Sequence, residues 1–192
     1  LMYTFTLRKN IMFHQDECFA AGTRAVTAQD FVFSFKRLYD SRVSSASSLL
    51  DAIDSEKADR GFEAISDSLF RVHLRRPFSA FASILTMKYF SVVPREAIEK
   101  YGENFRWHPV GTGPFMFKAW PEGTRVILVK NPNYFERDED GGQLPYLDAV
   151  TISMIRDRET AFMEMLGGKF DMLSGADAFN TSEVLDREGN LK

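Results

Sequence analysis

The side chains with reactive potential gather first at His14-Gln15-Asp16-Glu17-Cys18, where an imidazole, two carboxylates and a thiol lie side by side. A thiol near an imidazole is the raw material of a nucleophile and its base, with His73 or His108 as alternative bases. The same run offers metal ligands. A metal site normally also draws ligands from a second stretch, and no second cluster stands out along the chain. A thiol- or metal-dependent hydrolase using Cys18 and His14 is therefore the competing function, and a solvated loop is the plainer reading of these residues. Gly111-Thr112-Gly113-Pro114 has the look of a phosphate loop, but such a loop must open a helix with its amides facing the anion. Here a strand pattern follows, and Pro114 has no amide. The segment reads as a tight turn in which Gly111 or Gly113 takes a positive φ, because Pro114 restricts its predecessor. Asn180-Thr181-Ser182 fits a glycosylation acceptor, a weak signal. No pair of acids is placed for acid–base catalysis. The residues point to no catalytic group, no metal and no cofactor, and so to a binding protein.

Composition narrows the partners. The chain has 192 residues, 44% hydrophobic and 27% charged, with a net charge of −3. Those fractions fit one large globular domain or two small lobes. The acidic balance gives no reason to expect nucleic acid, which is bound by cationic surface. No apolar run approaches the roughly 18 residues of a membrane-spanning helix. A single cysteine excludes an internal disulfide. Eighteen phenylalanines and eight methionines supply either a core or an apolar ligand cleft, and packing is the commoner use.

The elements that must position these residues follow from periodicity. Tyr3, Phe5 and Leu7 alternate with Thr4, Thr6 and Arg8, a half-buried strand. Thr27 and Asp30 mark a helix start, with Phe31, Phe35 and Leu38 on one face to about Tyr39. Ser48 to Ile53 suggests a short helix. Residues 61–65 and 69–74 read as strand, turn, strand, with Leu69, Arg71 and His73 on one face and Phe70, Val72 and Leu74 on the other. Helices are expected over 79–87 and, after Pro94, over 95–101 with Gly102 as the stop. Phe115–Trp120 and Arg125–Lys130 form a hairpin across Pro121-Glu122-Gly123, and Glu136 to Asp140 a solvated charged loop. Val150, Ile152 and Met154 alternate in a further strand. Asp157 caps a helix with Phe162, Met165 and Leu166 on one face, ended by Gly167 and Gly168. Phe170–Leu173 reads as a short strand, completing a parallel, right-handed crossover. A strand at the very start and a trailing end suggest a fragment of a longer protein.

Five motifs in order carry a family likeness: Tyr3-Thr4-Phe5-Thr6-Leu7-Arg8 with Phe13-His14; the run Val26 to Leu38; Val93-Pro94-Arg95-Glu96-Ala97; Pro109 to Phe115; and Lys130-Asn131-Pro132-Asn133-Tyr134-Phe135. Together with Val150 to Leu173 they resemble the extracellular solute-binding proteins of the peptide/nickel/opine class, family 5, which feed ABC importers. The chain departs from that pattern at Gln15 to Ala25, where family members commonly have a short Asp-Gly turn. The resemblance implies an α/β fold, a fragment of a type II periplasmic-binding-protein clamp. Residues 1–108 would form the accessory α+β lobe, and residues 109–192 part of the main ligand-binding lobe. It implies capture of an oligopeptide or other small solute, delivery to ABC permease subunits, and a periplasmic or cell-surface location. A signal or lipid anchor would lie upstream; Cys18, inside the fold, is not the anchor cysteine. Ligands in open α/β sheets sit beyond the carboxyl ends of strands. Ser174, Gly175 and Asp177, after the last expected strand, are therefore the candidate ligand-facing residues.

Overall fold

The computed structural model describes residues 1–43 and 47–175. Two compact units divide it: Leu1–Ala119 with Ile127–Val150, and Trp120–Val126 with the described part of Thr151–Lys192.

The first unit is built on an antiparallel sheet of β1 (Met2–Thr6), β2 (Phe62–Ser66) and β3 (Leu69–His73), in the order β1-β3-β2. Alternation sorts its faces as the sequence implies: Phe70, Val72 and Leu74 are buried, while Leu69, Arg71 and His73 keep partial contact with water. Register places Phe5 opposite Phe70 and Tyr3 opposite Val72, so aromatic and β-branched side chains meet across strands. Helix α1 (Ala28–Lys36) lays Val32 and Phe35 on that face. The Phe35 ring meets Phe62, Phe70 and Phe90 edge-on, with centroids at 5.4, 5.6 and 5.0 Å, the geometry aromatic quadrupoles favour.

Polar residues lock α1 in place. Thr27 and Asp30 form a capping box, in which the Asp30 carboxylate accepts from the Thr27 amide at 2.8 Å. The same carboxylate is buried and takes two hydrogen bonds from the Arg24 guanidinium, at 2.8 and 2.7 Å. Arg24 also grips Glu96, at 2.6 and 2.7 Å, at the start of α3 (Arg95–Tyr101). One planar cation thus ties two helices to the loop between β1 and α1, and its fork suits two carboxylates at once.

The turn into β2 is left-handed at three successive residues: Asp59, Arg60 and Gly61, at φ 50°, 58° and 91°. At Gly61 a Cβ would lie 2.5 Å from Ile53 Cγ2 and 2.8 Å from the Asp54 carbonyl, so only glycine fits.

Strands β4 (Phe115–Ala119) and β5 (Arg125–Lys130) form the expected antiparallel hairpin, with Phe115 opposite Lys130. Strand β6 (Ala149–Ser153) completes the order β4-β5-β6. In the second unit, α4 (Arg158–Leu166) is capped by Asp157, whose Oδ1 accepts from the Thr160 amide at 2.7 Å.

Several expectations need correction. Phe170–Leu173 is irregular chain rather than a strand, so the described residues contain no parallel crossover after α4. Four residues with an apolar alternation have no ladder partner there, and alternation alone does not hold a strand. The helix expected over 79–87 shrinks to the single turn α2 (Phe81–Ile84), and Ser48–Ile53 becomes a 3₁₀ turn at Ser47–Leu50. Neither Gly111 nor Gly113 has a positive φ.

Candidate functional site

The Gly111–Pro114 turn owes its shape to distant hydrogen bonds. His14 is buried and its Nε2 donates to the Gly113 carbonyl at 2.9 Å. That bond puts the proton on Nε2, leaving Nδ1 to accept a longer 3.4 Å contact from the Gly111 amide. The backbone repeats the link, the His14 amide donating to the Gly111 carbonyl at 2.7 Å. From the other side, buried Asn131 donates through Nδ2 to the same Gly113 carbonyl at 2.9 Å. Its own amide donates to the Pro114 carbonyl at 2.8 Å. The turn is held from both flanks by tertiary bonds, which is why it needs no left-handed glycine. Burial lowers the pKa of His14, against a raising contribution from the Gly113 bond, which keeps the ring neutral as this arrangement requires.

Beside this turn the first unit has a recess of about 200 Å³. Leu7, Ile11, Val26, Phe31 and Val92 make its apolar lining, and Arg8 and Thr112 bring polar groups to it. Each comes from a different part of the construction: Leu7 and Arg8 follow β1, Val26 precedes α1, Phe31 lies on α1, and Thr112 sits in the clasped turn. Arg8 is exposed, with its guanidinium 5.7 Å from the centroid of the Phe135 ring. Among the described residues no carboxylate forms an ion pair with it. An apolar recess flanked by a guanidinium and a hydroxyl can hold an apolar group that carries a negative charge or acceptor.

The ligand-facing residues singled out from sequence are not part of this lining. Ser174 and Gly175 are exposed in the second unit, Gly175 at φ 79°, and Asp177 lies outside the described residues, as do Asn180, Thr181 and Ser182. With no strand at Phe170–Leu173, the reason for choosing the first three is gone. A depression of about 440 Å³ runs along α4 past Asp157, Thr160, Met163, Glu164 and Lys169. There Asp157 caps the helix and Lys169 pairs with Glu164 at 3.0 Å. In the His14–Cys18 run the reactive candidates have other duties. His14 is committed to the glycine turn. The Cys18 thiol is pushed up to about 12 by burial and then by Asp16, so it stays protonated and poorly nucleophilic at neutral pH. Among the described residues no group of three or more His, Cys, Asp or Glu is placed to hold a metal.

Sequence reasoning missed the recess because its lining is scattered from Leu7 to Thr112. The usable signal was Arg8, a cation two residues after a half-buried strand with no acidic neighbour in sequence.

Comparison with known proteins adds a further set of findings. A family model described as "Bacterial extracellular solute-binding proteins, family 5 Middle" matches residues 1–191. The glutathione-binding protein GsiB of Salmonella choleraesuis (strain SC-B67) is 30% identical over 160 residues, covering 83% of this chain and 28% of the relative. The periplasmic oligopeptide-binding protein OppA of Salmonella typhimurium is 29% identical, covering 89% of this chain and 32% of the relative. This chain thus spans about a third or less of the curated relatives it matches. The Helicobacter pylori periplasmic binding protein DppA, solved in complex with the peptide STSA, superposes with a TM-score of 0.77 at 27% identity, over 96% of this chain and 37% of that one. Burkholderia pseudomallei OppA gives a TM-score of 0.80 at 22% identity, over 95% of this chain and 36% of that one, a likeness of fold.

Proposed function

The chain belongs to the bacterial extracellular solute-binding proteins of family 5, and on that footing we propose that it is part of the binding component of an ABC-type importer for peptides or related small solutes. The protein captures its solute outside the cytoplasmic membrane, periplasmic or lipid-anchored at the cell surface, and hands it to permease subunits. Residues 1–108 serve as the accessory lobe of the clamp and residues 109–192 as part of its main lobe, joined where His14 and Asn131 clasp the Gly111–Pro114 turn. No residue of this chain is assigned a catalytic role.

The observation that carries this reading is the family match across residues 1–191. The peptide-bound DppA, aligned over 96% of this chain, supports peptides as the solute class. A clamp gains affinity by enclosing its ligand, since pockets typically bury about 70–90% of a small ligand's surface. Calorimetry of the whole protein with a mixed tri- to pentapeptide pool, followed by mass spectrometry of what stays bound, tests the proposal. Micromolar or tighter capture is expected from the whole protein, and much weaker capture from residues 1–192 alone. No retained peptide or other small solute would overturn the importer reading. Equal affinity from the 192 residues would overturn the clamp account.

A further inference from the structure

We propose that the recess between the end of β1, the start of α1 and the Gly111–Pro114 turn is a subsite for one apolar residue bearing a free α-carboxylate. This rests on the solute-binding reading above and narrows it to a site and a chemical class.

Size sets the first limit. Pockets that enclose whole small-molecule ligands run to about 300–1,000 Å³, and this recess is about 200 Å³. It takes one side chain with its attached backbone atoms and not an entire peptide. The lining sets the second. Leu7, Ile11, Val26, Phe31 and Val92 offer nothing to a polar side chain, so a buried hydroxyl or amide there would lose its hydrogen bonds with no replacement.

Charge sets the third limit. Arg8 lines the recess, and no carboxylate among the described residues forms an ion pair with it. Its guanidinium lies near the face of Phe135, which steadies a guanidinium while leaving its in-plane donors free. A guanidinium meets a carboxylate through two parallel hydrogen bonds. An apolar side chain in the recess brings its own α-carboxylate toward Arg8, and Thr112 adds a hydroxyl at the same site. The turn that carries Thr112 is fixed by His14 and Asn131, so the backbone bearing that residue is held in place before any ligand arrives, which lowers the entropic cost of binding.

Methyl-resolved NMR of the whole protein tests this, with N-acetyl-L-leucine as the probe and N-acetyl-L-leucinamide as the uncharged control. The acid should shift the methyls of Leu7, Ile11, Val26 and Val92. The amide should bind at least tenfold more weakly, and Arg8→Gln should reduce binding of the acid by a similar factor, with Arg8→Lys restoring part of it. Arg8 is exposed, so these variants fold; Ile11→Trp, which fills the recess, is scored only where its melting curve matches the parent. Gly-Gly-Leu distinguishes the source of the carboxylate: tighter binding than the acetylated amino acid marks a peptide C-terminus, and equal binding marks a small apolar acid. Unmoved methyls overturn the proposal, including the case in which another part of the protein already fills the recess. Equal response to acid and amide overturns it too. Peptide-pool binding with a silent recess would sink the subsite and leave the importer reading standing, while no peptide binding at all would remove that reading itself.

Discussion

The sheet β1-β3-β2 with α1 and the second unit around α4 begin from the same kind of sequence, apolar residues at strand or helix spacing, and end differently. In the first, Phe62 and Phe70 are both 0% exposed. In the second, Met163, Leu166 and Ile152 stay 61%, 54% and 50% exposed, and only Ala161 and Phe162 of α4 are buried. Periodicity states which face an element must cover. Whether it is covered depends on whether an opposing face exists. The first region contains its own complement: α1 brings Phe35 to a sheet whose alternation points Phe62 and Phe70 at it. In the second, an apolar stripe remains open to water, the kind of surface that marks an interaction site when contiguous.

The contrast breaks or stands on single substitutions. Phe70→Ala should cost about 3–5 kcal/mol, because it removes a ring packed against Phe5, Phe31, Phe35 and Phe62. Met163→Ala should shift stability by no more than about 0.5 kcal/mol. Urea midpoints for the two variants read the difference directly, and similar values would show that the regions are equally packed. Gly61→Ala comes next, at about 2 kcal/mol or more, since its Cβ would strike backbone at Asp54 and the residue sits at φ 91°. A variant as stable as the parent would mean the left-handed turn is not retained in solution.

The helix caps give a finer comparison. Thr27→Ala should cost about 1 kcal/mol, because it disturbs a cap joined to the buried Asp30–Arg24 pair. Asp157→Ala, at an exposed cap, should fall toward the lower end of the same range, about 0.5 kcal/mol. Thermal melts in which the Asp157 variant suffers more would reverse the ranking.

Smaller still is a pH effect confined to the first unit. Burial holds the folded pKa of His14 below its ordinary value of 6.5. The unfolded chain therefore takes up this proton first on acidification. The contribution is full above about pH 6.5 and is lost as the pH falls from there toward the lowered value. His14→Gln should flatten the fall of the urea midpoint between pH 6.5 and 5, with His73 and His108 common to both proteins. An unchanged slope would show that His14 is not the group responsible.

Legibility in the sequence followed the range of the causes. The faces of β2 and β3, the start of α1 at Thr27 and the span of α3 were readable, because alternation, capping and a stopping glycine are local signals. Gly111 and Gly113 misled because a glycine's neighbours do not reveal that His14 and Asn131 will hold the turn from afar. The left-handed residues Asp59 and Arg60 left no trace in residue type. Phe170–Leu173 had the alternation of a strand and lacked the partner that makes one. Ser174, Gly175 and Asp177 were chosen on that missing strand. Of the recess only Arg8 left a local signal, because the recess belongs to no segment: it exists only once chain from Leu7 to Thr112 has been folded around it. The family likeness, in contrast, was carried by motifs of a few residues and could be read at once.

The strand order β1-β3-β2 also sets a timetable for a chain emerging from the ribosome. β2 and β3 are joined by Asp67 and Ser68 alone, so they close into a hairpin cheaply as soon as both are free. β1 precedes both and must wait for β3: the Leu74 amide donates to the carbonyl of Leu1, 73 residues away, and closing so long a loop is slow even where its entropy cost grows only logarithmically. The His14–Gly113 bond spans 99 residues and waits longer still. During synthesis Tyr3 and Phe5 therefore stand uncovered on an unpaired edge, the kind of segment that aggregates or recruits a chaperone. Of these three strands the one made first is the last to find its place, and pulse-labelled hydrogen exchange should find the Glu63 and Arg71 amides, which face each other across β2 and β3, protected before those of Tyr3 and Phe5, which face Val72 and Phe70 across β1 and β3.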